Sequence, residues 1–213
     1  MDKKYDKIRS DYRQKPFGKK DVDPDPFKQF VEWMDKAISS GIKEPTAMAL
    51  STVGKNMQPS CRMVLLKEIR EGGFIFFSNY DSKKGHQIKE NHYGSLLFFW
   101  PELERQIRIE GRIENTSKEI SEEYYLTRSA KRRIGAWASP QSHEIPNRQY
   151  LEEKQKEFED KFGGNPIQKP ENWGGYILVP YIFEFWQGRT NRLHDRIEYY
   201  LDDTEWKIRR LAP

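Results

Sequence analysis

Residues 185–196 read Phe185-Trp186-Gln187-Gly188-Arg189-Thr190-Asn191-Arg192-Leu193-His194-Asp195-Arg196. The pattern is an aromatic strand ending at Trp186, a Gly-containing turn, and then a second extended run. On that run a spacing of two puts Arg192, His194 and Arg196 on one face and Leu193, Asp195 and Ile197 on the other. Two guanidiniums flanking an imidazole suit an anionic, planar ligand that exchanges protons. A solvated edge strand with alternating charge carries the same pattern, so the stretch must be weighed with its surroundings.

Those surroundings amount to 213 residues, enough for one domain with a real core and some helical additions. Apolar residues make up 36% and charged residues 33%, a lean core for an independent monomer. An aromatic share of 14% argues against disorder, because disordered chains lack the large rings that build a core. Rings in excess of a modest core point to apolar surface covered by a second copy of the chain. The net charge of +4, from 37 basic and 33 acidic residues, does not mark a nucleic-acid binder, although a local basic patch can hold phosphate groups. A nucleic-acid-binding barrel is the outlying alternative, and salt-dependent oligonucleotide binding is its signature. The single cysteine, Cys61, excludes an intrachain disulfide and fits a reducing compartment. The opening Met1-Asp2-Lys3-Lys4-Tyr5-Asp6-Lys7 has no apolar leader and no apolar run reaches membrane-spanning length, so a soluble, cytoplasmic protein is expected.

Residues 1–24 are charged and end in Asp23-Pro24-Asp25-Pro26, which reads as a mobile arm joined by a turn to one domain over residues 25–213. A helix over residues 26–40 would place Phe27, Phe30, Val31 and Met34 on one stripe. Extended runs follow at residues 47–53, 60–68, 74–79 and 95–100, with short turns between the first three. Residues 81–91 read as a short helix capped by Asp81 or Ser82, which sets Lys83 and Lys84 at its first turn, where free backbone N–H groups favour an anion. Residues 106–115 alternate, with Gln106, Arg108, Glu110 and Arg112 on one face and Ile107 and Ile109 on the other. Helices over 118–128 and 147–162 and extended runs at 176–186, 196–201 and 206–210 complete the chain. Many short strands with peripheral helices indicate an α+β barrel or sandwich.

No Gly-x-Gly-x-x-Gly follows a strand, no Walker-type Gly-Lys-Ser/Thr occurs, and His86, His92, His143 and His194 lack a metal-ligand spacing. No dinucleotide-binding fold and no metal site are expected. Arg62-Met63-Val64-Leu65-Leu66-Lys67 sets a cation at each end of an apolar strand, and the odd separation sends Arg62 and Lys67 to opposite faces if the strand is regular. Tyr124 and Arg128 stand at i and i+4, so a hydroxyl and a guanidinium share one helix face, a good seat for a phosphate monoester.

Taken in order, these stretches resemble the pyridoxine/pyridoxamine 5′-phosphate oxidases, and the resemblance runs from about residue 8 to the closing Trp206-Lys207-Ile208-Arg209-Arg210-Leu211-Ala212-Pro213. The segment from Trp186 to Arg196 is similar to the family's C-terminal signature and is the most specific part. The resemblance implies an FMN-binding split β-barrel, Greek-key-like, of six or more antiparallel strands. It implies FMN contacts at Arg62, Met63, Val64, Leu65, Leu66, Lys67, Phe77, Ser78, Lys83, Lys84, Gln106, Gln141, Ser142, Trp186 and Arg196. It implies substrate contacts at Arg9, Ser10, Asp11 and Tyr12 of the arm, at Lys67, Tyr124, Arg128 and Arg132, and at Arg192, Leu193 and His194, with Arg192 and His194 as the catalytic pair. Two positions depart from the pattern. Lys83 stands where many members carry Arg, which keeps charge but loses bidentate geometry, and Arg132 stands where many carry Ser.

The implied activity is FMN-dependent oxidation of pyridoxamine and pyridoxine 5′-phosphates to pyridoxal 5′-phosphate, with O₂ consumed and H₂O₂ released by a homodimer. One alternative is a flavoenzyme on the same barrel that takes another substrate, such as a phenazine precursor. Another is a non-catalytic flavin or pyridoxal phosphate carrier.

Overall fold

The computed structural model describes Asp11, Tyr12 and residues 14–213. The first helix, α1 (Pro26–Ser39), starts where Asp25 caps it by accepting a 2.8 Å hydrogen bond from the Phe27 N–H, with proline at the first helical position. Its buried stripe is Phe30, Trp33, Met34 and Ala37, the i, i+3, i+4, i+7 set. Val31, expected on that stripe, is 45% exposed, because the buried face turns toward Trp33.

Nine strands and four further helices follow: β1 (Ala47–Val53), β2 (Pro59–Leu65), β3 (Glu68–Arg70), β4 (Gly73–Asn79), α2 (Lys83–Glu90), β5 (Tyr93–Trp100), β6 (Arg105–Asn115), α3 (Lys118–Thr127), α4 (Ala130–Ala138), α5 (Arg148–Phe162), β7 (Trp173–Gln187), β8 (Asp195–Asp202) and β9 (Glu205–Leu211). The strand order is β2-β1-β5-β6-β7-β4-β3, with β8 paired to β7 and β9 to β8. β7 is antiparallel to β4 from Phe74↔Leu178 to Asn79↔Trp173 and antiparallel to β8 from Ile182↔Tyr200 to Gln187↔Asp195. Pro180 lies between these two ladders, so its missing N–H takes a hydrogen bond from neither of them.

Two readings of the sequence are corrected here. The run at 60–68 is not one strand: β2 stops at Leu65, Leu66 is buried, and β3 begins at Glu68. Arg62 and Lys67 therefore do not obey the alternation of a regular strand. The second extended run does not contain Arg192 and His194 either, so they do not share a strand face with Arg196. Thr190–Arg192 forms a 3₁₀ turn in which Asn191 and Arg192 adopt left-handed φ values of 55° and 61°, and β8 starts only at Asp195. Leu193 is consequently 70% exposed, whereas Asp195 and Ile197 are buried. Helix α4, with Gly135 in its middle, was not marked by the sequence reading.

The chain falls into two compact units. One comprises Met1–Ala49, Ser95–Glu110 and Tyr181–Pro213. Its core is aromatic: Phe30 meets Phe98 at 5.1 Å between ring centroids and Trp33 meets Phe185 at 5.2 Å, both edge-on. The other comprises Leu50–Gly94 and Gly111–Pro180 and packs Ile75, Ile120 and Ile177 together with Phe77 against them. Among the described residues no helix is long and apolar enough to cross a membrane, and no group of three His, Cys, Asp or Glu could hold a metal ion.

Candidate active site

In the unit built from Leu50–Gly94 and Gly111–Pro180, β2, the end of β4, the start of α2, and α3 and α4 line a cavity of about 730 Å³. That size is ordinary for a small-molecule site. Arg62, Lys67, Lys83, Lys84, Arg128 and Arg132 all line it, and among the described residues no Asp or Glu does. Six cations converging without a carboxylate describe an anion site; Lys84 is buried and Arg62 and Arg128 are half-buried, and charge withdrawn from water is otherwise paired.

The cations form two groups. In the first, Lys84 is 8% exposed, and its ammonium donates to Ser78 Oγ at 3.0 Å, Ser82 Oγ at 3.1 Å and Gln141 Oε1 at 3.0 Å, all neutral oxygens. Burial and then the nearby Arg62 guanidinium pull its pKa down to about 8. Arg62 likewise meets only neutral acceptors: Leu50 O at 3.0 Å, Thr52 Oγ1 at 2.6 Å, Ser60 Oγ at 2.8 Å and Gln87 Oε1 at 3.3 Å. Burial lowers its pKa as well. Ser82 caps α2 by accepting from the Gly85 N–H, so the helix start presents Lys83 and Lys84 beside backbone N–H groups. A side chain at Gly85 would put Cβ 2.0 Å from Tyr80 O, so glycine is required for this helix to start so close to the strand end.

The second group is built on aromatic faces. Phe77 stacks on Tyr124 at 3.9 Å and on Trp173 at 5.5 Å, and all three rings are nearly parallel. Arg128, the residue that ends α3, lies 4.7 Å over Trp173. Its Nη1 is buried without a protein partner, and burial lowers its pKa. A buried guanidinium N–H left unpaired is costly, and an acceptor on a ligand would satisfy it. Arg132 stands in the first turn of α4 and lines the same cavity.

A second cluster lies in the other unit. The ring of His194 is 4.7 Å from Trp186, and Tyr12 of the arm meets both edge-on, at 5.5 Å from Trp186 and 5.7 Å from His194. His194 Nδ1 accepts the Arg189 N–H at 3.1 Å. Burial, then Arg192, lowers the imidazole pKa. Arg196 is committed to a buried partner: its Nε and Nη2 donate to the two carboxylate oxygens of Glu184 at 2.8 and 3.0 Å, and Arg108 binds the same carboxylate.

The structure thus gathers Arg62, Met63, Val64, Leu65, Lys67, Phe77, Ser78, Lys83, Lys84, Tyr124, Arg128, Arg132, Gln141 and Ser142 around one cavity. Lys67 shares it with Arg62 because β2 ends before Lys67, against the expectation of opposite faces. Leu66 is buried and is not among the cavity-lining residues. Gln106, Trp186, Arg192, Leu193, His194 and Arg196 belong to the other unit. Of the arm, Asp11 and Tyr12 are described, while Arg9 and Ser10 lie outside the described residues. The sequence reading missed Trp173 as the third ring of the stack and Gln87 as the acceptor shared by Thr52, Ser60 and Arg62. Gln87 follows Lys84 by three positions on α2, so the same-face rule was the available signal.

The donor set fits FMN: two phosphate-seeking cations with neutral partners, an amide and hydroxyls at Gln141, Ser78 and Ser142, and apolar strand residues between them. A family profile described as "Pyridoxamine 5′-phosphate oxidase" matches residues 34–162, and one described as "Pyridoxine 5′-phosphate oxidase C-terminal dimerisation region" matches residues 173–213. A pyridoxine/pyridoxamine 5′-phosphate oxidase from Cupriavidus taiwanensis is 50% identical over 207 residues, 97% of each chain. One from Trichormus variabilis is 45% identical over 214 residues, 100% of each chain. Among solved structures, PhzG from Burkholderia lata 383, in complex with tetrahydrophenazine-1-carboxylic acid, superposes with a TM-score of 0.88 at 29% identity, covering 94% of this chain and 99% of its own. A pyridoxamine 5′-phosphate oxidase-related, FMN-binding protein from Nostoc punctiforme gives a TM-score of 0.71 at 18% identity, over 90% of this chain and 100% of its own. The fold is accordingly the α+β split barrel of such proteins.

Proposed function

Because the chain belongs to the pyridoxine/pyridoxamine 5′-phosphate oxidase family, we propose that it oxidises pyridoxamine 5′-phosphate and pyridoxine 5′-phosphate to pyridoxal 5′-phosphate. FMN is the cofactor in this reading and O₂ the acceptor, released as H₂O₂; the amine substrate in addition takes up water and gives off ammonia, which the alcohol substrate does not. The observation that carries it is the cavity lined by six cations and, among the described residues, no acid; in this reading one group of cations takes a cofactor phosphate and the other a substrate phosphate.

When bound, FMN would supply the redox chemistry, a two-electron oxidation of the substrate at C4′ with O₂ as the final acceptor. Arg62, Lys83 and Lys84 hold its phosphate, and Ser78, Gln141 and Ser142 contact it through neutral hydrogen bonds. Lys67, Tyr124, Arg128 and Arg132 hold the substrate phosphate, Arg128 through the Nη1 that has no protein partner. Binding energy from the phosphate, remote from the reacting carbon, then orients the ring. Arg192 and His194 act at the reacting end. An imidazole whose Nδ1 accepts a backbone N–H carries its proton on Nε2, so His194 enters as a neutral donor rather than as an imidazolium. Family membership and the C-terminal dimerisation region support a homodimer with residues of both subunits around each flavin. A light-scattering mass for a stable, active, FMN-loaded monomer would overturn that part.

The likeness to PhzG favours a second reading, turnover of a phenazine precursor on the same barrel. The phosphate seat argues for the first. An oxygen-electrode assay on the purified FMN-loaded protein tests both: O₂ uptake with pyridoxamine 5′-phosphate and little with pyridoxamine is expected. Equal turnover of the two, or none of either, would overturn the oxidase reading, and ligand binding without H₂O₂ would indicate a carrier.

A further inference from the structure

Asp195 opens β8 and is 8% exposed, and its carboxylate meets three donors from different parts of the chain. Oδ2 accepts the Phe17 N–H at 3.0 Å, and Oδ1 accepts Arg210 Nη1 at 2.6 Å. Arg189 Nε stands 3.6 Å from Oδ2. Arg210 also donates Nη2 to Phe17 O at 2.9 Å, so the Asp195–Arg210 pair grips both backbone polar groups of one arm residue. Three residues upstream, Gln14 O accepts Arg189 Nη1 at 2.6 Å. Two residues beyond that, Tyr12 lies across Trp186 and His194. Arg189 therefore joins the two ends of the chain of contacts: its side chain holds the arm and its N–H holds His194 Nδ1.

We infer that Asp195 is a positioning residue that latches the arm, so that Tyr12 seats against His194 and the imidazole and the arm are ordered together. The inference rests on the proposed role of His194 at the substrate. Without the carboxylate, two guanidiniums and a buried N–H lose their common partner, and the arm loses its anchor at Phe17. Gly188 supports the same seat: a Cβ there would lie 2.7 Å from Tyr12 Cγ, so only glycine leaves room for the ring.

The test compares the FMN-loaded wild type with Asp195→Asn, which keeps shape and removes charge, and Gly188→Ala, which displaces Tyr12 without touching the latch. Tryptic cleavage N-terminal to Phe17, read by mass spectrometry, should speed up roughly ten-fold in Asp195→Asn. KM for pyridoxamine 5′-phosphate should rise by about the same factor in both variants, with FMN content per chain unchanged. Unchanged cleavage and KM in Asp195→Asn would overturn the inference. So would a fall in melting temperature or FMN content with KM intact, which marks a purely structural ion pair. If Asp195→Asn does not fold, Arg210→Met removes both the ion pair and the Phe17 O contact from β9 and must show the same two changes. The cleavage readout needs no turnover, so absence of oxidase activity in the wild type would sink the proposed function while leaving the latch still decided by proteolysis.

Discussion

The Arg189 N–H points at His194 Nδ1 from 3.1 Å, a contact that an imidazolium, with hydrogen on both nitrogens, cannot accept. Burial and the Arg192 charge act in the same direction and hold the imidazole pKa below its ordinary value. If the neutral form is the active one, kcat/KM rises as pH climbs through this lowered pKa and is flat above it. The acid limb is thus expected below about pH 6.5, the unperturbed value. Arg192→Gln removes one cause of the depression and should move the limb upward as well as slow turnover. A wild-type limb at or above the unperturbed value, or a limb that does not move in the variant, would contradict the assignment.

In the proposed reading, Lys84 is expected to make FMN affinity sensitive to alkaline pH. With its pKa pulled down to about 8 by burial, half of its charge is lost by about pH 8 in the ligand-free protein. A phosphate anion beside it favours the ammonium and raises the pKa in the complex. Binding then takes up a proton above about pH 8, so affinity falls as pH rises through that region, by up to about ten-fold per pH unit. Fluorescence titration of apoprotein with FMN between pH 7 and 9.5 measures this. Lys84→Met should bind weakly with the slope abolished, and an unaltered slope would assign the titration to another group.

Much of this architecture was legible from local pattern. The 47–53 strand, the helix from Pro26, the cap at Asp81 or Ser82 (it is Ser82) and the alternation of Ile107 and Ile109 all follow from short-range rules, and the structure has them. What failed was tertiary. Nothing in Leu65-Leu66-Lys67 says that the strand stops there, because an apolar run is compatible with either outcome, yet that stop brings Lys67 beside Arg62. The left-handed turn at Asn191 and Arg192 was hidden by an alternating pattern, although Asn is among the residues that tolerate such a turn. Asp195 as the meeting point of Phe17, Arg189 and Arg210 spans up to 178 positions, beyond any periodicity.

Arg132 is the residue on which the proposed substrate seat can be tested. It lines the cavity with Arg128, whose Nη1 has no protein partner. A guanidinium offers the phosphate a charge-assisted hydrogen bond, about twice as strong as the neutral one a serine hydroxyl would give. Arg132→Ala is expected to raise KM for pyridoxamine 5′-phosphate roughly ten-fold or more, as losing ~1.5–3 kcal/mol would do, with kcat little altered. Arg132→Ser should recover part of the loss. An unchanged KM would show that Lys67, Tyr124 and Arg128 hold the phosphate without it.

Glu184 ties Arg196, carried over from the family as a flavin residue, to the stability of the fold. The carboxylate is 3% exposed and is held by Arg196 on both oxygens and by Arg108. Burial alone would raise its pKa, but the hydrogen bonds from Arg196 and Arg108 more than offset this, and the pKa is lowered. A carboxyl with a depressed folded-state pKa adds stability that is fully present above its unfolded value near 4.3 and is lost as pH falls through the folded value. Glu184→Gln leaves Arg196 without its carboxylate and Arg108 with Glu110 alone, and removing the buried member of such a part-buried set costs up to about 3–5 kcal/mol. The variant should therefore unfold at markedly lower temperature at pH 7, and its deficit against the wild type should shrink as pH is lowered below about 4. Arg196→Met separates the two roles of that arginine. Loss of melting temperature without loss of FMN makes it a support for Glu184, whereas FMN loss at unchanged melting temperature places it at the flavin.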